Sequence, residues 1–178
     1  MHSPHHSPDG GAAPPDAPLT LSLPNEEATI ALGKKMALFL RPGMVVWLDG
    51  DLGAGKTTLV RAMLRGLGYV GAVKSPTYTL VEVYLVSSLY WYHFDFYRFN
   101  DPEEFVDAGL GEYFRENAVC LVEWPEKAAG HVPLADLAIV FRFSGNGQDE
   151  RILELHAHSE VGRQCLNNLR SSRYAVGN

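Results

Sequence analysis

Cysteine is scarce in this chain: there are two, Cys120 and Cys165, among 178 residues. Their spacing suggests neither a disulfide framework nor a metal knuckle, so both are expected to be reduced thiols. Basic charge is short as well. Lys and Arg number 15 against 21 acids, a formal charge of −6. Affinity for nucleic acid comes largely from neutralising phosphates, so this is a poor solitary binder of RNA, and any RNA would reach it through a partner. No apolar run approaches the roughly 18 residues that cross a bilayer, so no membrane partner is expected. Residues 1–18 hold no Lys or Arg and no apolar signal core, which argues for a cytoplasmic rather than secreted protein. No internal repeat is present. What remains is ordinary globular composition, 46% apolar and 20% charged, at a length that suits one α/β domain.

Against that background one stretch stands out. Residues 45–59 read VVWLDGDLGAGKTTL, and Gly50 to Thr57 fit G-x-x-x-x-G-K-[ST], a phosphate-binding loop. The glycines let the backbone turn its N–H groups inward as an anion nest. Lys56 supplies charge for the outer phosphates, and the Thr57 hydroxyl can ligate Mg²⁺. The context the motif requires is there: Val45–Leu48 is strand-like, and Leu59, Met63 and Leu67 recur at helical spacing behind the loop. The helix starting at the loop would point its positive dipole end at the phosphates.

In chain order, residues 1–18 are rich in Pro, Gly, Ser and His and are expected to form a disordered tail. Leu19–Leu23 suits a short strand. Asn25 can cap a helix whose first turn carries Glu26 and Glu27, whose buried stripe is Ala28, Leu32, Met36 and Phe39/Leu40, and which Pro42-Gly43 stops. The phosphate-loop unit runs from Met44 to about Gly68. Residues 74–79 read as a loop, and Leu80–Val86 and Leu89–Phe99 as a hairpin joined at Ser87-Ser88. Helical segments are expected from Asp101 and over Gly109–Asn117. Ala118–Val122 is apolar throughout, as in a parallel strand buried on both faces. Asp136–Phe143 and Arg151–His158 are further strands, and a helix or tail occupies 161–178. The domain proper is therefore 19–160.

A phosphate loop alone only binds; turnover needs a metal carboxylate and a group that positions the nucleophile. Glu123 ends the buried strand, where such an acid sits at a carboxyl edge. Its alternative is an ordinary solvent-facing acid. Asp95 lies in His93-Phe94-Asp95-Phe96-Tyr97-Arg98. Alternation puts Phe94 and Phe96 on one face and His93 and Asp95 on the other. Asp95 reads equally as a site acid or as a strand acid paired with Arg98, and His93 reads as a hydrogen-bonded strand histidine.

Four motifs in order, GDLGAGKTT (50–58), KSPTYTLVE (74–82), HFDFYR (93–98) and LVEWP (121–125), resemble the TsaE (YjeE) family. These are small bacterial ATPases of tRNA threonylcarbamoyladenosine formation, and the resemblance spans about residues 20 to 158. It implies a P-loop NTPase-like three-layer α/β domain, a mostly parallel sheet with an antiparallel hairpin and helices on both faces. It implies ATP held by Gly53, Ala54, Gly55, Lys56, Thr57 and Thr58, and Mg²⁺ held by Thr57 and Glu123. Asp95, with Glu123 and Lys56, would serve hydrolysis. Trp124 would support the site, residues 75–79 would sense the nucleotide, and Glu26 and Gly147 would flank the adenine. TsaD and TsaB homologues would be the partners, with tRNA met only through their complex.

Two other functions compete. A small-molecule or nucleoside kinase typically closes a basic lid, yet between Ala118 and Phe141 Lys127 is the sole Lys or Arg. A GTPase-like switch would carry N-K-x-D, which occurs nowhere in the chain.

Overall fold

The computed structural model describes residues 16–174. The tail expected over 1–18 lies outside them apart from its last three residues. Seven strands form one sheet: β1 (Leu19–Leu23), β2 (Val45–Asp49), β3 (Val81–Val86), β4 (Leu89–Asp95), β5 (Ala118–Glu123), β6 (Leu137–Phe143) and β7 (Arg151–Ala157). Their spatial order is β1-β7-β6-β2-β5-β4-β3. The central pairs β6–β2, β2–β5 and β5–β4 are parallel, whereas β1–β7, β7–β6 and β4–β3 are antiparallel. The parallel core and the β3–β4 hairpin match the expected fold, and β6–β7–β1 adds a second antiparallel flank. β5 is buried along its whole length, as its unbroken apolar run requires. Ser87 and Ser88 both take positive φ (51° and 64°), the two-residue primed turn whose twist suits a hairpin.

Helices α1 (Glu26–Ala37), α2 (Lys56–Gly66) and α4 (Glu160–Tyr174) are joined by a short α3 (Glu104–Asp107). α1 starts as its sequence predicts: the Ala28 amide donates to Asn25 Oδ1 at 2.9 Å, with acids in the first turn and lysines in the last. Its most buried residues, however, are Thr29, Gly33, Met36 and Ala37, with Ala28 and Leu32 half-buried. The face is rotated because α1 packs against α2 at very close range. A Cβ on Gly33 would lie 2.6 Å from the Ala62 Cβ, and one on Gly66 would lie 2.8 Å from the Lys34 Cα. α2 closes with the Tyr69 amide on the Leu64 carbonyl (3.0 Å) and the Gly68 amide on the Arg65 carbonyl (3.1 Å), a Schellman motif.

Two apolar cores flank the sheet. One joins it to α1, α2 and α4 through residues such as Met36, Leu59, Met63, Leu153 and Leu166. The other, with Phe94, Phe96, Phe105 and Leu110, lies under α3 and two single 3₁₀ turns, Leu110–Tyr113 and Pro125–Ala128. Two expected elements are shorter than their sequence suggests. The strand expected over Leu89–Phe99 ends at Asp95, because the Tyr97 amide bonds the Asp95 carboxylate at 2.9 Å and the Phe99 amide the Phe96 carbonyl at 3.0 Å, and the chain turns. Gly109–Asn117 forms only the 3₁₀ turn.

Candidate active site

β2, β5 and β4 run parallel, so their carboxyl ends open at one edge of the sheet. The loop between β2 and α2 crosses that edge. Gly53 (φ 76°) and Gly55 (φ 104°) hold it in left-handed backbone that side chains rarely adopt. Gly55 is also the N-cap of α2 and has no side chain to close it. The first amides of α2 are therefore left open, unlike those of α1, and form an anion-binding end.

Lys56 is buried although lysine seldom is without a partner. Its Nζ donates to the Gly50 carbonyl at 2.5 Å and stands 4.1 Å from the centre of the Trp124 ring. Burial pulls its pKa below the ordinary lysine value, while Glu123 and Asp95 pull it back up. Trp124 reaches over the ammonium because its backbone is left-handed, with φ 57°, directly after Glu123.

Asp95 and Glu123 are register partners on β4 and β5, side by side and both buried. Glu123 Oε2 is 3.5 Å from Thr57 Oγ1 and 2.7 Å from His93 Nε2. Asp95 accepts from the Tyr97 amide at 2.9 Å and from Thr77 Oγ1 at 3.1 Å. Burial raises its pKa above the usual carboxylate range, against the lowering effect of those bonds. The alternative pairing with Arg98 is not formed: the Arg98 guanidinium lies over the Tyr78 ring, 3.9 Å from its centre. Ser75 Oγ and Thr77 Oγ1 are 2.8 Å apart, so the 75–79 segment is tied to Asp95 through hydroxyls.

These groups line one cavity of about 270 Å³, whose wall includes Gly53 to Thr58, Ser75, Thr77, Asp95, Glu123 and Trp124. A smaller cavity of about 140 Å³ adjoins it across the loop, walled by Glu26, Thr29, Asp149 and Arg151. Of the two positions expected to flank a base, Glu26 is on that wall and Gly147 is not. The 144–150 turn contributes Asp149 instead, and a Cβ at Gly147 would meet only open space. All the sequence-predicted residues except Gly147 thus converge on two adjoining cavities. Missed were Thr29, Asp149 and Arg151, whereas His93, expected as a hydrogen-bonded strand histidine, does form such a bond, to Glu123. His93 carried one signal, its place two residues before Asp95 on the same strand face; the others carried none, since long-range folding brings them in.

The comparisons with known proteins fit this geometry. The family model for "Threonylcarbamoyl adenosine biosynthesis protein TsaE" matches residues 23–153. The chain belongs to the TsaE family. The TsaE of Haemophilus influenzae is 44% identical over 153 residues, covering 83% of this chain and 95% of that one. The TsaE of Bacillus subtilis is 44% identical over 126 residues, covering 71% of this chain and 78% of the relative. The crystal structure of Bacillus subtilis YdiB superposes with a TM-score of 0.72 at 35% identity, covering 87% of this chain and 96% of that one. The TsaE match includes the phosphate loop, Asp95, Glu123 and β6, and stops before α4. Membership places the chain among proteins of tRNA threonylcarbamoyladenosine biosynthesis. Among the described residues no helix is long and apolar enough to cross a membrane.

Proposed function

We propose that this chain is a Mg²⁺-dependent ATPase that serves tRNA N6-threonylcarbamoyladenosine formation by acting on the TsaD–TsaB complex and meets tRNA only through it. The observation that carries the reading is convergence: Lys56, Thr57, Asp95 and Glu123 come from α2, β4 and β5 to line a single cavity at the open end of α2.

Apart from that of Ala54, which donates to the Asp51 carbonyl at 3.1 Å, the amides from Gly53 to Thr58 bind the phosphates of ATP, and Lys56 exchanges the Gly50 carbonyl for a phosphate oxygen. Thr57 and Glu123 would hold Mg²⁺. Their oxygens lie 3.5 Å apart, close enough to face one ion. A single protein carboxylate suits this cation, which keeps waters and substrate phosphates among its ligands. When bound, Mg²⁺ neutralises charge on the phosphates. Asp95, its carboxyl basic for its type, orients the attacking water and takes its proton. Trp124 packs over Lys56, and Glu26, Thr29, Asp149 and Arg151 bound the space for sugar and base. Leu52 and Tyr78, 61% and 80% exposed, stand at the cavity wall and beside Thr77. Apolar groups left bare at an active-site rim suit a partner that completes it.

The test is ATP hydrolysis with and without the TsaD–TsaB complex, for the wild-type chain and Asp95→Ala. Slow turnover alone, stimulation by the complex and a loss of about 10²–10⁴-fold in Asp95→Ala are expected. Brisk turnover by the isolated chain, unaffected by the complex, would overturn the reading, as would a clear preference for GTP.

A further inference from the structure

We propose that His93 is a positioning residue: its Nε2–H fixes the rotation of the Glu123 carboxylate, so that the acid is held facing Thr57 at the mouth of the phosphate loop. The proposal rests on the Mg²⁺-ATP reading above and assigns the group behind the metal-facing acid.

His93 has no exposed surface, and its Nε2 is 2.7 Å from Glu123 Oε2. A carboxylate can only accept, so the ring donates. The same oxygen lies 3.5 Å from Thr57 Oγ1. Glu123 is therefore gripped between a strand residue behind it and a helix residue in front. The strand register explains how. β4 and β5 are parallel, Asp95 sits opposite Glu123, and His93 sits opposite Leu121, one pleat back on the same face. A glutamate on a strand end has three rotatable bonds, and a hydrogen bond from a packed ring removes that freedom.

Packing alone does not account for the ring. Its other nitrogen, Nδ1, is buried and has no partner. Buried polar atoms in folded proteins are nearly always satisfied, and a space-filling role here would be met by an apolar side chain with no orphan. The one bond His93 makes is to Glu123. Carboxylates that ligate metals are commonly held by such outer partners, whose loss weakens metal affinity by about 10–100-fold.

The experiment uses the full chain, Mg²⁺ and a non-hydrolysable ATP analogue, with binding followed by calorimetry across a Mg²⁺ series. His93→Leu keeps bulk and deletes the donor; His93→Gln returns an amide donor near the Nε2 position. His93→Leu is expected to need about 10–100-fold more Mg²⁺ to tighten analogue binding, with affinity in the absence of Mg²⁺ unchanged, and His93→Gln to recover most of the loss. Equal Mg²⁺ requirements in His93→Leu and wild type would overturn the proposal. So would a parallel fall in Mg²⁺-free affinity, or a Gln variant no better than Leu. Should His93→Leu fail to fold, ¹⁵N-histidine spectra of the wild type decide. A His93 ring signal that moves when Mg²⁺ joins the analogue supports the role, and a fixed signal overturns it. If the wild type itself binds the analogue no tighter with Mg²⁺, the metal reading falls first, a result distinct from any difference between variants.

Discussion

At the scale of single residues, the site gathers the charged groups that the rest of the chain keeps in water. Among the described residues the buried polar or charged side chains are Thr29, Lys56, His93, Asp95 and Glu123, and each lines the two cavities or touches a residue that does. Such burial is destabilising in itself, and Asp95 carries a testable consequence. Burial holds its carboxyl above the usual carboxylate range, so the folded chain binds this proton more tightly than the unfolded chain. Where the folded state holds more protons, stability falls as pH rises. Asp95→Asn should therefore melt at a higher temperature than the wild type at neutral pH, and the gap should close as pH drops below the ordinary carboxylate range. Thermal melts across pH 3 to 8 check this, alongside loss of turnover. The loop residues were legible in the sequence because their chemistry is local, written in eight consecutive positions. Asp95 and Glu123 were half legible, from strand alternation and a buried run. His93 was legible as a hydrogen-bonded strand histidine but its partner was not, because Glu123 lies 30 residues away and meets it only across a strand pair.

At the scale of elements, α1 and α2 act as one jaw. α1 brings Glu26 and Thr29 to the smaller cavity, and α2 brings the loop. Their closeness depends on Gly33, where an added Cβ would meet the Ala62 Cβ at 2.6 Å and the Leu59 carbonyl at 3.0 Å. In an isolated helix Gly→Ala is favourable by about 1 kcal/mol. Here the contact reverses the sign: Gly33→Ala should destabilise by about 1–3 kcal/mol in urea unfolding, the range for overpacked sites. Adding Ala62→Gly should recover part of the loss. The expected stripe of α1 does pack on the core, with Met36 and Leu40 buried and Ala28, Leu32 and Phe39 against it, and the same contact explains why Thr29, Gly33 and Ala37 are buried more deeply still. Apolar periodicity marks Ala28 and Leu32, but a glycine and a threonine give the flat surface that α2 needs. β4 stops before its apolar pattern does: the pattern continues through Phe96 and Phe99, but the Tyr97 amide turns onto the Asp95 carboxylate and the Phe99 amide onto the Phe96 carbonyl, and these turn bonds end the strand.

At the scale of the whole molecule, strand order was beyond the sequence, since β2 lies between β5 and β6 and has no chain neighbour beside it. The fold class was legible, because loop, buried strand and hairpin each carried their own pattern. Charge is also a property of the whole chain. At −6 it should not bind tRNA alone with a Kd below roughly 10⁻⁴ M at physiological salt, the weak end of non-specific binding. Fluorescence anisotropy with labelled tRNA measures this, and tight binding by the isolated chain would contradict a partner-delivered substrate. The three tryptophans of the chain are distributed unevenly about the site. Trp91 is sealed in the helical core and Trp47 belongs to the opposite core, whereas Trp124 alone carries an ammonium over its ring. An indole's emission responds to a charge moving near it. When Lys56 shifts toward an incoming phosphate, the light from Trp124 should change while the other two stay constant, so the protein holds an intrinsic optical gauge of its own occupancy, readable without any label.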